Sequence, residues 1–161
     1  MERRKYKRFA ATAFLNRPVA LTPLAPFIGK PIRGKLIDLS AGGLSILIQQ
    51  MIPLGTKLNL KLSFPDQSVL QCEAEIRHMV PKDKFYLHGL QFELVDPLIA
   101  AHIEKMSTDY IDCEQRIVNN HMAPCIGRQC AFFAMCNKQE RTERVLQHEE
   151  DLLLSFSRVI S

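Results

Sequence analysis

From Lys57 to Phe64 the chain alternates polar and apolar residues without a fault, Lys-Leu-Asn-Leu-Lys-Leu-Ser-Phe. A period of two places Leu58, Leu60, Leu62 and Phe64 on one face and the polar residues on the other, which is the pattern of a half-buried antiparallel strand. Pro65-Asp66-Gln67-Ser68 then turns the chain. Beyond it Leu70, Cys72, Ala74 and Ile76 point one way, and Gln71, Glu73, Glu75 and Arg77 the other. Two neighbouring segments with this period cannot be settled as helices, so the chain has to build a sheet with one dry face. Cys72 falls on that face and is expected in the core.

Short apolar runs bounded by turn residues continue the pattern on both sides. Val19–Leu24, Gly34–Leu39, Leu44–Ile48 and Phe85–Leu94 read as strands, with turns at Pro53-Leu54-Gly55 and at Pro81–Lys84. Pro26 and Gly29-Lys30-Pro31 make the intervening stretch irregular. Six short strands with regular turn signals predict a small six-stranded antiparallel β-barrel.

Asp96-Pro97 then opens a helix, with Asp at the cap and Pro in the first turn. Ile99, Ile103, Met106, Tyr110, Cys113 and Ile117 form one apolar stripe along it, and Asn119-Asn120 ends it. Asn137 with Glu140 resembles a capping box and starts a last helix, whose apolar face includes Val145, Leu146, Leu152, Leu153, Phe156, Val159 and Ile160. The expected class is therefore mainly β with C-terminal helices: a barrel followed by two amphipathic helices. The expected organisation is a barrel with a basic arm over 1–96 and a helical module over 97–161, which contains a Cys-rich segment at 121–136. The two helices either fold back as a hairpin or make a homodimer.

Charge narrows the partners. Arg3, Arg4, Lys5, Lys7 and Arg8 oppose Glu2 alone within the first ten residues and account for the whole net charge of +4. A compact basic arm attracts phosphate-bearing molecules. Nucleic acid is not the expected partner, because Tyr6 and Phe9 are the only aromatic platforms nearby. No window approaches the roughly twenty apolar residues that span a bilayer. The apolar run Phe9–Leu15 is interrupted by Thr12 and followed by Asn16-Arg17-Pro18, so it is not read as a signal peptide. A cytoplasmic protein is expected, and five cysteines then point to reduced thiols.

Between two of the strands lies Ile37-Asp38-Leu39-Ser40-Ala41-Gly42-Gly43-Leu44. Asp38 can accept from a pair of N–H groups, Ser40 can donate or accept, and glycine lets a planar group come close to the backbone. Arg4 and Arg8, in Arg-x-x-x-Arg spacing, precede Asp38, Ser40 and Gly43 in Asp-x-Ser-x-x-Gly spacing by about thirty residues. In that order the two motifs resemble the PilZ family of bacterial cyclic di-GMP receptors, and His88-Gly89-Leu90-Gln91-Phe92 is similar to the Gly-x-x-Phe strand closing the family's barrel. The resemblance covers residues 2–95. It implies that Arg4 and Arg8 clamp bases and phosphates, that Asp38, Ser40 and Gly43 form the floor, and that Arg3, Lys5 and Lys7 add field. An arginine fork suits guanine O6 and N7, and a carboxylate suits guanine N1–H and N2–H₂. No catalytic constellation accompanies these residues, so an enzyme is not expected.

The cysteines Cys125, Cys130 and Cys136 fall within twelve residues, with Cys113 upstream as a fourth ligand and His121 as its substitute. These gaps are wider than usual zinc hooks, so an iron–sulfur cluster is expected slightly ahead of zinc, with Phe132-Phe133 as a shield; buried, inert thiols are the plain alternative. The sequence thus reads as a cyclic di-GMP receptor that relays second-messenger level to an unidentified protein effector through its C-terminal helices. The alternatives are a PilZ-like interaction scaffold without ligand binding, and a metal- or cluster-bearing sensor module.

Overall fold

A computed structural model of the chain describes residues 5–10, 18–24, 30–65, 67–120, 127–133 and 136. Its strands are β1 (Phe9–Ala10), β2 (Pro18–Pro23), β3 (Ile32–Ser40), β4 (Gly43–Ile48), β5 (Lys57–Ser63), β6 (Val69–Lys82) and β7 (Phe85–Leu94). A helix, α1 (Pro97–Asn120), and a short 3-10 turn, Gly127–Gln129, follow.

Six strands pair antiparallel in the order β3-β2-β5-β6-β7-β4, and the β3–β4 pairing closes the ring. The expected six-stranded barrel is present, with β1 as an addition to it. One edge of β3 is shared: β2 pairs with Ile32–Lys35, and β1 pairs with Asp38 and Leu39. Two residues carry no readable periodicity, so β1 exists only because β3 offers an unpaired stretch beyond the end of β2. The alternating faces of β5 and β6 behave as expected, with Leu58, Leu60, Leu62, Leu70, Cys72, Ala74 and Ile76 all buried.

β6 runs through Pro81, where a turn was expected; the turn is Asp83–Lys84, between paired Lys82 and Phe85. β5 covers β6 only as far as Glu75. Past that point β6 has no described strand on its outer edge, so the N–H that proline lacks costs no ladder bond.

Asp96 caps α1, its Oδ1 accepting from the Leu98 N–H at 2.8 Å and the Ile99 N–H at 3.4 Å. The stripe on α1 packs against the barrel: Ile103, Met106 and Tyr110 are buried in the same core as β1–β7. Ser107 is buried among them and its hydroxyl donates to the Ile103 carbonyl at 2.9 Å, which satisfies it locally. The second amphipathic helix expected past Asn137 lies outside the described residues.

Phe9 anchors the basic arm in the core. Its ring lies 5.8 Å from Tyr110 and 5.3 Å from Phe132, and Tyr110 and Phe132 are 5.2 Å apart, the last two contacts edge to face. Three rings from β1, α1 and the segment after the 3-10 turn thus meet in one buried cluster. They are far apart in sequence, so no local pattern shows it.

His88 is fully buried in β7. Its Nε2 accepts from the Ile52 N–H at 3.1 Å, which leaves the proton on Nδ1 to donate to the Tyr86 carbonyl at 3.2 Å. Burial holds its pKa below the ordinary 6.5, against the hydrogen bond to the Tyr86 carbonyl. The unfolded chain therefore binds this proton more readily than the folded one. Its stability contribution is complete above about pH 6.5 and is lost as pH falls from there through the lower folded value. Urea unfolding at pH 7.5 and pH 5 should show this loss, and His88→Gln, which cannot take up the proton, should show a smaller difference between the two pH values.

Candidate functional site

The β3–β4 hairpin has a two-residue tip, Ala41-Gly42, with Ser40 and Gly43 as its last pair. Ser40 is buried and its Oγ donates to the Gly43 carbonyl at 3.0 Å, so it holds the hairpin closed. The Gly42 carbonyl accepts from the Phe92 N–H at 3.1 Å, which ties the tip to β7. Gly42 faces Tyr6: a Cβ there would lie 2.5 Å from Tyr6 Cδ2. The tyrosine ring rests on the bare tip, and Lys5 Nζ lies 5.2 Å from the centre of that ring.

Gly43 has a packing role in the sheet. A Cβ at this position would run into the Leu90 carbonyl oxygen, so its lack of a side chain is what allows β4 to pair with β7. It does not line the cleft beside it. The close approach that this glycine admits here is that of the neighbouring backbone.

That cleft, of about 510 Å³, is formed where the arm crosses the outer face of β4, β7 and β6. Lys5, Tyr6 and Arg8 enter it from the arm, and Ser40, Gly42 and Ser45 from the hairpin. Arg77 and His78 come from β6, and Leu87, Gly89, Leu90 and Gln91 from β7. Among the described residues its lining carries the cations of Lys5, Arg8 and Arg77 and no carboxylate, which favours an anion. Arg8 Nη1 lies 3.5 Å from Asp38 Oδ1. That distance is an ion pair rather than a hydrogen bond, and among the described residues the buried Asp38 Oδ1 has no hydrogen-bond partner. A buried acceptor left open beside a guanidinium is a place for incoming N–H groups.

Of the residues singled out in the sequence, Arg8 and Ser40 line the cleft, and Asp38 joins through Arg8. Arg4 lies outside the described residues. Sequence reasoning assigned no role to Ser45, Arg77, His78 and Gln91. The outward positions of Ser45, Arg77 and Gln91 were readable, that of His78 was not, and the convergence of all four depends on strand order.

A scan against family models matches the PilZ domain over residues 2–108. The chain belongs to the PilZ family. The match extends past the barrel into α1, further than the sequence motifs reach. Among solved structures, the chain resembles YcgR from Escherichia coli in complex with c-di-GMP, with TM-score 0.57 and 18% identity over 76% of this chain and 52% of that one. It resembles the Bacillus subtilis inhibitor of motility MotI/DgrA, with TM-score 0.54 and 17% identity over 76% of this chain and 55% of that one. It also resembles the PilZ domain of Escherichia coli YcgR with c-di-GMP, with TM-score 0.51 and 21% identity over 75% of this chain and all of that one. The matched part of this PilZ protein thus spans about half the length of the first two relatives. No curated protein sequence matches it. Among the described residues, no helix is long and apolar enough to cross a membrane.

The iron–sulfur or zinc centre expected at Cys113, Cys125, Cys130 and Cys136 finds no support. Among the described residues no three His, Cys, Asp or Glu side chains gather as metal ligands, and Cys125 and His121 lie outside them. Cys113, Cys130 and Cys136 are free and half-buried, and the last two pack on the core. Burial pushes the Cys130 thiol pKa up, with smaller contributions from Asp109, Cys113 and Cys136. The segment is held by other means. The Ala131 N–H donates to Asp109 Oδ2 at 2.7 Å, and Phe132, expected as a shield for the metal, is a fully buried core residue. Close cysteine spacing does not by itself distinguish ligands from packed thiols.

Proposed function

We propose that this PilZ protein is a non-enzymatic receptor for cyclic di-GMP, bound in the cleft between the basic arm and the outer face of β4, β7 and β6. The observation that carries this reading is the Arg8–Asp38 pair beside the cation-lined cleft, with a buried Asp38 oxygen that has no hydrogen-bond partner among the described residues. Cyclic di-GMP brings two phosphate anions and two guanines. Arg8, with Arg4, takes a phosphate or the O6/N7 edge of a guanine; Asp38 accepts from guanine N1–H and N2–H₂. Ser40 sets the hairpin that presents Asp38, and Gly43 lets that hairpin seat against β7. That YcgR is seen with c-di-GMP supports the ligand's identity.

Output passes through the C-terminal part of the chain to a protein effector, with a homodimer as the other use of those helices. Phe9, next to Arg8, packs on Tyr110 of α1 and on Phe132, which supports this route. A ligand that reorients Arg8 pulls on a residue buried against the helix.

Guanine selectivity tests the assignment. In equilibrium dialysis, labelled cyclic di-GMP should be retained and displaced by unlabelled cyclic di-GMP, but not by cyclic di-AMP, whose base has no N1–H for Asp38. Equal displacement by both would remove Asp38 from base recognition.

A further inference from the structure

The strict alternation of β6 would carry His78 into the barrel, in line with Leu70, Cys72, Ala74 and Ile76. It does not go there. Ile76 pairs with Leu90 and His78 with Gly89, so three residues of β6 lie opposite two of β7 and the register shifts. Arg77 is the extra residue of this β-bulge. A bulge re-aims the side chains around it, and bulges concentrate beside binding sites. Here the consequence is that two consecutive residues, Arg77 and His78, are both exposed and both line the cleft.

The row across the sheet at this level is Ser45 of β4, Gly89 of β7 and His78 of β6. Gly89 has no side chain to fill the middle, and a Cβ there would come within 3.2 Å of His78 Cβ. The result is a bare strip of backbone with a polar residue on either side. The arm enters from the hairpin side, through Tyr6 on Gly42 and Arg8 at Asp38. Arg77 and His78 stand on the other side of β7. The only ion pair described for Arg77 is with Glu75 at 3.2 Å, and its side chain is 56% exposed, so little holds it from a ligand.

We infer that Arg77 and His78, turned outward by the bulge in β6, form the second wall of the nucleotide site and grip the half of the cyclic dinucleotide that the arm does not reach. Arg77 supplies a guanidinium fork to a phosphate or to a guanine O6/N7 edge, and His78 supplies a planar ring and an N–H donor. This rests on the proposed cyclic di-GMP function.

The test is calorimetric titration of the full chain with cyclic di-GMP. Arg77→Ala should weaken binding roughly ten- to a hundredfold, the usual consequence of losing a hydrogen bond to a charged group. The urea midpoint should stay near that of the unaltered protein. Arg77→Gln, which keeps the stem, should weaken binding similarly and decides the matter if the alanine variant unfolds more easily. Arg77→Lys retaining most of the affinity would assign the contact to a phosphate, and losing it would assign the contact to the guanine edge. If the unaltered chain binds, Arg8→Ala does not, and both Arg77→Ala and Arg77→Gln bind normally, this inference falls while the receptor assignment stands. If the unaltered chain does not bind, both fall.

Discussion

Arg8→Ala should weaken cyclic di-GMP binding by a factor of tens to several hundred, about 2–4 kcal/mol, while leaving the fold as stable as before. The two halves of this expectation have separate causes. Arg8 lines the cleft, and its partner Asp38 is at 3.5 Å with both side chains partly exposed. A pair of that kind contributes about 0–1 kcal/mol to stability. Against a nucleotide the same guanidinium makes charge-assisted, two-pronged contacts, which outweigh its long, partly exposed pairing with Asp38. Arg8→Lys should also bind poorly, because an ammonium cannot form the fork. Titration of the variants, with urea unfolding alongside, separates a binding defect from a folding one.

Gly43→Ala should destabilise the protein by on the order of 3 kcal/mol, a large share of a small domain's margin. The added methyl meets the Leu90 carbonyl oxygen and the backbone of Gln91 rather than a side chain that could swing away. Relief requires β4 and β7 to part, and that pairing spans Gly43–Ile48 against Tyr86–Gln91. Gly42→Ala is the contrast: its clash is with the Tyr6 ring, which belongs to the arm. There the barrel should keep its stability to within about 1 kcal/mol while the cleft loses the ring from its lip and binds ligand less well. A denaturant midpoint for Gly43→Ala equal to the unaltered one would show that Gly43 is not a packing requirement.

Much of the barrel was legible because its strands bury one face, and period-two alternation records that directly in Lys57–Phe64 and Leu70–Ile76. The limits of legibility are equally physical. β1 is a strand only by virtue of the free edge of β3, and the Phe9–Tyr110–Phe132 cluster joins residues that no window contains together. The hairpin motif drew attention to Asp38, Ser40 and Gly43, yet it could not say that Gly43 serves the β4–β7 ladder. The bulge at Arg77 leaves no trace in composition, and reading straight alternation through it sends His78 to the wrong side of the sheet. Cysteine spacing left ligation and packing open, and among the described residues Cys130 and Cys136 pack on the core without forming a metal-ligand group.

The central claim is that the arm and the β3–β4 hairpin together hold a cyclic di-guanylate, and isothermal titration tests it most directly. The full chain titrated with cyclic di-GMP should give saturable heat that disappears in Arg8→Ala. Absence of saturable binding by the unaltered chain, or binding that persists unchanged in Arg8→Ala, would contradict it.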